Sequence, residues 1–283
     1  MISRKKLVLA AILALALVLA SAVLVYAITW GEPDGDDHPH VGQVAFQPSA
    51  DSNDVYWCTG TMLTEYVMLT AGHCTSEGGV PNYKTWVSFD PQITFPDTVV
   101  DDESLIEYLD AHWVSGTAVP HPEYDDFAEW PNTYDVGVIL FEEEVTRPTY
   151  GQLPDIDRLA TLVKGQARKD GWFTAVGYGL QGLVPHYVDY WSRYQGEVSL
   201  VEINSAWNGD GQGAKFTNNP GKGNGKGGTC FGDSGGPVFF QDTNIVTAVV
   251  SWGVTPCIGV DMQFRIDTAI AQNFVRPYLS YQP

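Results

Sequence analysis

The chain has 283 residues, 44% of them hydrophobic, which allows a sizeable core as one large β domain or two small ones and excludes an intrinsically disordered protein. Its net charge is −19, and −22 once residues 1–27 with their three basic and no acidic groups are removed. So acidic a chain argues against a nucleic-acid ligand and favours cationic partners or a saline habitat.

The chain opens with Arg4, Lys5 and Lys6 and continues as a 21-residue apolar run ending at Ala27. This is the pattern of a secretory signal peptide over residues 1–27, with Val25 and Ala27 as the small residues before the cut, and it predicts an exported, extracellular protein. The run is also long enough for an uncleaved membrane anchor, which needs about 20 residues. A cut after Ala20-Ser21-Ala22 is a further alternative.

Beyond it, twenty-nine glycines, seventeen prolines and short Val, Thr, Tyr and Trp runs between turn residues favour an all-β protein. A first set of strands is read at 41–46 (VGQVAF), 66–70 (YVMLT) and 136–141 (VGVILF). Between them, the acidic stretch 97–110 is expected to be a solvated surface, since it lacks the ordered ligand spacing of a calcium loop. A second set is read at 172–179, 196–203, 236–240 and 245–253, with the crossover near 147–155. Residues 205–228 are rich in Gly and Asn and are expected to be loop, able to control access to the segment after them. Asp267 is expected to cap a last helix over 267–279.

The hexapeptide GDSGGP at 232–237 places Ser234 between glycines, where a tight turn can aim backbone N–H groups at a reacting carbonyl. A serine hydroxyl needs a base, normally an imidazole, and the imidazole needs a partner that fixes its tautomer. His73 in LTAGHC ends an apolar run, and Asp135 in YDVGVIL begins one. The other histidines, at 38, 40, 112, 121 and 186, have no comparable setting. Four cysteines in an exported chain suggest two disulfides, for which spacing permits three pairings. Neither C-x-x-C spacing nor a Cys/His cluster is present, so no metal site is expected.

Taken in the order His, Asp, Ser, and together with CTGTML at 58–63 and SWG at 251–253, these motifs resemble those of the trypsin-like (chymotrypsin-fold) serine proteases. The resemblance runs from about Ile28 to the C-terminal helix. It implies two antiparallel six-stranded Greek-key barrels, one over about 28–150 and one over about 151–266, with the helix over 267–279. It implies His73 as general base, Asp135 as its orienting carboxylate, Ser234 as nucleophile, and the N–H groups of Gly232 and Ser234 as the oxyanion hole. It pairs Cys58 with Cys74 and Cys230 with Cys257. It also makes ITWG an activated N terminus, in which a freed amino group of Ile28 would pair with Asp233.

In the same family the residue six before the nucleophile, here Gly228, is the base of the primary specificity pocket. Cleavage after Arg or Lys needs a carboxylate there, so the reading is an uncharged pocket. Thr229, Gly253 and the segment Val260 to Met262 would form its walls. Counting back from Phe264 puts Met262 on the wall, and a slip of one residue would put Asp261 there. Ser251, Trp252 and Gly253 would pair with an extended substrate. The expected activity is endopeptidase hydrolysis of polypeptide substrates through an acyl-enzyme, with no cofactor and an acidic limb near pH 6.5. The alternatives are a catalytically silent binding module on the same fold and a membrane-anchored surface protein.

Overall fold

The computed structural model describes residues 27–163, 171–183, 187–189, 191–203, 209, 211–218 and 227–283. The expected signal peptide and its alternatives as anchor fall almost wholly outside these residues. Among the described residues no helix is long and apolar enough to cross a membrane.

Strands in chain order are β1 (Glu32–Pro33), β2 (Val41–Gln47), β3 (Tyr56–Met62), β4 (Val67–Thr70), β5 (Ser76–Glu77), β6 (Val80–Pro81), β7 (Lys84–Ser88), β8 (Val114–Ser115), β9 (Thr117–Pro120) and β10 (Gly137–Leu140). They continue with β11 (Trp172–Gly177), β12 (Tyr194–Glu202), β13 (Gly213–Asn218), β14 (Pro237–Phe240), β15 (Val246–Gly253) and β16 (Gly259–Arg265). All ladders between them are antiparallel.

The first sheet has the order β8-β7-β2-β3-β4-β10-β9. The amide of Gly116, between β8 and β9, donates to the Thr85 carbonyl in β7 at 3.0 Å, so the sheet curls until its ends nearly meet. Val44, Met62, Met68, Val87, Ile139 and Phe141 fill it. The second sheet, β12-β11-β14-β15-β16-β13, is closed by a β12–β13 pairing, with β1 added on the outside of β12. Phe173, Val198, Leu200, Phe216, Val238 and Val250 fill that barrel, and Ile28 packs with them. This is the all-β, two-barrel architecture expected from the sequence.

Where the barrels meet, Val41, Leu69 and Val138 of the first pack with Val176, Phe239 and Val249 of the second. All six are fully buried, and each such side chain contributes about 1.5–3 kcal/mol through the water it sheds. The loops leading out of this seam carry the candidate catalytic residues.

One local expectation is refined and two are corrected. The acidic stretch is a helix, α1 (Asp102–His112), because Asp101 accepts from the Ser104 amide at 2.9 Å while Ser104 Oγ accepts from the Asp101 amide at 3.1 Å. It buries Leu109 against Ala45 and Trp86. Within the stretch expected to be loop, Gly213–Asn218 is strand β13, held by its ladder to β16; residues 204–208, 210 and 219–226 lie outside the described residues. The last helix is α2 (Ala269–Val275), followed by a 3-10 turn at Arg276–Ser280, and its cap is Thr268, which accepts from the Ala271 amide at 3.2 Å. Asp267 instead accepts from Arg265 Nε at 2.8 Å and from the Leu159 amide at 2.7 Å, tying the helix root to the second barrel.

Candidate active site

β4 ends at Thr70, and a single 3-10 turn, Gly72–Cys74, then presents His73 to the seam between the barrels. Asp135 lies two residues before β10, the neighbour of β4, so adjacent ladders set the two side by side. The His73 amide donates to Asp135 Oδ1 at 2.9 Å, and Nδ1 lies 3.0 Å from both carboxylate oxygens. Asp135 also accepts from Ser251 Oγ at 2.5 Å. Its carboxyl is fully buried, which alone would raise its pKa, but the His73 charge and the hydrogen bonds from His73 and Ser251 outweigh burial and hold it below the usual carboxylate range. For His73, burial pulls the pKa down, yet the Asp135 charge and hydrogen bond, helped by Asp126, bring it above the ordinary value.

Ser234 reaches this seam from the second barrel. Its carbonyl accepts from the Thr59 amide at 2.7 Å, beside the Cys58–Cys74 disulfide that braces the His73 turn. Gly235, at φ 77°, folds back so that its amide bonds the Val250 carbonyl at 2.7 Å; a Cβ there would strike Thr70 and Thr59. Gly232, at φ 95°, crosses so close to Gly179 that a Cβ would stand 2.9 Å from its Cα. Among the described residues the N–H groups of Gly232 and Ser234 donate to no carbonyl. Nor does the Ser234 hydroxyl form a hydrogen bond with His73 or another described residue, an arrangement that commonly tightens only when substrate binds.

Asp233 points the other way, into the second barrel. Its carboxylate accepts from the amides of Gly179 and Cys230, each at 2.8 Å, and burial pushes its pKa up to about 7. Ile28 is fully buried, and the adjoining Thr29 and Gly228 exchange backbone contacts, with the Gly228 amide donating to the Thr29 carbonyl at 3.1 Å.

A cavity of about 180 Å³ opens beside Ser234, walled by Thr229, Phe231, Val250, Ser251, Trp252 and Gly253, with Asn218 at one side and the Cys230–Cys257 disulfide at another. Gly228 is not on its surface; a Cβ there would collide with Asn218, and Thr29 holds its backbone. Met262 is not on the wall either. In the ladder of β15 with β16, Gly253 pairs with Asp261 and Trp252 with Met262, after an irregularity between Val250 and Trp252. Phe264 packs with Val249, Ile266 and Ala271 towards α2, on the face Met262 shares by alternation, so counting from Phe264 ran one residue out.

The Asp261 Cβ would be 3.4 Å from a Cβ on Gly253, and its carboxylate accepts from the Thr229 hydroxyl, so a carboxyl lies directly behind two cavity walls. Asp261 is 2% exposed, burial pushes its pKa up to about 7, and its second oxygen, Oδ1, forms no hydrogen bond, like the Oδ1 of the neighbouring Asn218. Asn218 lay in the stretch expected to be loop and was not singled out, nor was Asp126, whose charge helps to raise the His73 pKa and whose backbone, like that of Phe127, is left-handed.

Cys58, His73 and Cys74 cluster within metal-ligand distance of one another, but both cysteines are spent in the disulfide. Chemically, the site offers an imidazole that can take a proton from a hydroxyl, a buried carboxylate to steady the resulting charge, and two amides at the Ser234 turn with no acceptor among the described residues.

The family model Trypsin matches residues 31–274. The chain is 25% identical over 221 residues to Kallikrein 1-related peptidase b3 of Mus musculus, covering 73% of this chain and 74% of that protein. Its fold is similar to solved structures of HL collagenase, with TM-score 0.62 and 15% identity over 89% of this chain and 99% of that one. It is likewise similar to neuropsin, a serine protease expressed in mouse brain, with TM-score 0.59 and 16% identity over 88% of this chain and 99% of that one.

Proposed function

Because the chain belongs to the trypsin family of serine proteases, we propose that it is an active, exported endopeptidase that hydrolyses peptide bonds with His73, Asp135 and Ser234. The observation that carries this reading is the His73–Asp135 pair, an imidazole held at 3.0 Å by a buried carboxylate next to the Ser234 turn. Ser234 Oγ attacks the scissile carbonyl while His73 Nε2 takes its proton. Asp135 remains ionised, orients Nδ1–H and steadies the imidazolium. The Gly232 and Ser234 amides bond the oxyanion, a contribution of about 3–4 kcal/mol for such donors. His73 then protonates the leaving amine, and water, activated by the same imidazole, releases the acyl group.

The acyl half of the substrate lies along Ser251–Gly253, whose ladder to β14 ends at Val249 and leaves this edge for strand addition. Its leading side chain enters the cavity between Thr229 and Gly253. With Asp261 behind those walls, the preferred side chain is Lys or Arg, which replaces the uncharged pocket expected from sequence. Two disulfides fit an oxidising, extracellular compartment. Release of an amino group at Ile28 supplies Asp233 with the counter-charge it lacks and firms the turn that carries the two oxyanion donors.

The test is fluorophosphonate labelling of the secreted protein. Wild type labels and Ser234→Ala does not; a folded wild type that fails to label points to a silent binding module instead.

A further inference from the structure

A second hollow, of about 290 Å³, lies across Phe231 from the cavity that holds Ser234. Phe231 is 55% exposed and borders both, so it stands as a partition: Ser234 and the Ser251–Gly253 edge are on one side, and Gly232 is on the other. A peptide that lays its acyl half along Gly253 and its carbonyl at Ser234 must carry its leaving half past Gly232, over this hollow. The walls are aromatic, chiefly Tyr56, Trp57, Tyr187 and Trp191. Trp57 and Trp191 meet edge to face at 4.8 Å and 80°, which fixes both rings.

A hollow of rings alone would suit an apolar side chain. This one also contains a carboxylate, Asp189, which accepts from the Trp191 amide at 2.9 Å and has no ion-pair partner among the described residues. Aromatic faces and a carboxylate around one space attract a cation by quadrupole and charge together, and the strongly acidic chain adds to that attraction.

We propose that this hollow is a subsite for a Lys or Arg side chain within the first two residues on the leaving-group side of the scissile bond. The proposal rests on the proteolytic reading of the Ser234 site. Burial holds the Asp189 carboxyl above its usual range, and a bound cation opposes that shift by favouring the ionised form.

The experiment compares internally quenched peptides that share one acyl half and carry Arg, Lys, Ala, Phe or Asp at the first or second position after the cut. At one of those positions wild type should cleave the Arg and Lys peptides with kcat/KM at least tenfold above Ala, and Asp should be poorest. In Asp189→Asn, and separately in Trp191→Phe, the Arg-to-Ala ratio should fall at least threefold. A wild-type ratio near one, a preference for Phe over Arg, or a ratio unchanged in both variants overturns the proposal. A chromogenic anilide with the same acyl half separates the two readings. If it is cleaved while the peptide ratios are flat, only the subsite is wrong; if wild type neither cleaves it nor labels with fluorophosphonate, the proteolytic reading falls as well.

Discussion

The Ser251 hydroxyl donates to Asp135 Oδ2 at 2.5 Å, on the carboxylate that holds His73. One residue of the second barrel thereby fixes the carboxylate supplied by the first. On the proteolytic reading, Ser251 positions that carboxylate as well as forming part of the substrate edge. Replacing it with alanine removes a hydrogen bond to a charged group, worth about 1.5–3 kcal/mol. We expect kcat for Ser251→Ala to fall about tenfold or more, by the usual 1.4 kcal/mol per decade. The acidic limb should also move upward, because a carboxylate with fewer donors attracts imidazolium more strongly. A drop in kcat with an unmoved pH profile would reduce Ser251 to a packing role.

The pH profile itself should depart from the unperturbed expectation. As the proposed base, His73 can act only when unprotonated, and Asp135 and Asp126 raise its pKa. Protonated His73 therefore persists to higher pH, and the midpoint of kcat/KM on the acidic side should lie above 6.5. Asp126→Asn should lower that midpoint by removing one source of the shift. A wild-type midpoint at or below 6.5, or a flat profile from pH 5 to 9, would contradict this role for the two carboxylates.

Legibility in the sequence depended on the physical basis of each signal. His73, Asp135 and Ser234 sit in short contiguous motifs, and apolar runs marked β2, β4 and β10 of the first barrel and β11, β12, β14 and β15 of the second. The pocket was harder because it depends on which face of β16 looks inward, and period-two alternation cannot fix that without the irregularity between Val250 and Trp252. Phe264 misled because an aromatic next to the pocket and one packed on α2 look alike in a string of letters. Helix α1 was missed although its Asp101–Ser104 cap was visible, since the abundance of acid concealed a local pattern. The Ser251–Asp135 bond joins residues 116 positions apart and leaves no mark in sequence at all.

The corrected register makes a substrate prediction. Asp261→Asn should lower kcat/KM for substrates with Lys or Arg before the cut by about a hundredfold, the scale of losing a charge partner in a buried site. Substrates with Leu or Phe there should change little or improve. Because burial holds the Asp261 pKa at about 7, the wild-type preference for basic residues should also grow as pH rises through that value, when the carboxyl ionises. Profiling one peptide library at pH 6 and pH 8 would show this, and a wild type that prefers uncharged residues at both would reject the assignment.

The Cys58–Cys74 disulfide spans a separation of 16 residues around the His73 turn. Removing it with Cys58→Ala and Cys74→Ala should cost about 3 kcal/mol, mainly by releasing the unfolded chain. Denaturant unfolding of the double variant beside Ser234→Ala, which should be near wild type, gives the comparison. Equal midpoints would mean that the barrel core alone holds this turn.

The last prediction concerns the charge on Asp233. With the chain continuous through Ala27 its carboxyl is buried with a pKa of about 7, well above the 3.9 of an unfolded aspartate. A group with its folded pKa raised contributes stability that is present below the unfolded value and is lost as pH rises through the folded one. A chain carrying residues ahead of Ile28 should therefore lose stability between about pH 4 and pH 7. A chain that begins at Ile28 supplies an ammonium to pair with Asp233, which lowers that pKa and should flatten or reverse the slope. Unfolding midpoints of the two forms across this range, with fluorophosphonate labelling rates in parallel, would decide it. The shorter chain should label faster and unfold later at pH 7; parallel stability curves with equal labelling would separate Ile28 from Asp233 and leave the oxyanion turn self-supporting.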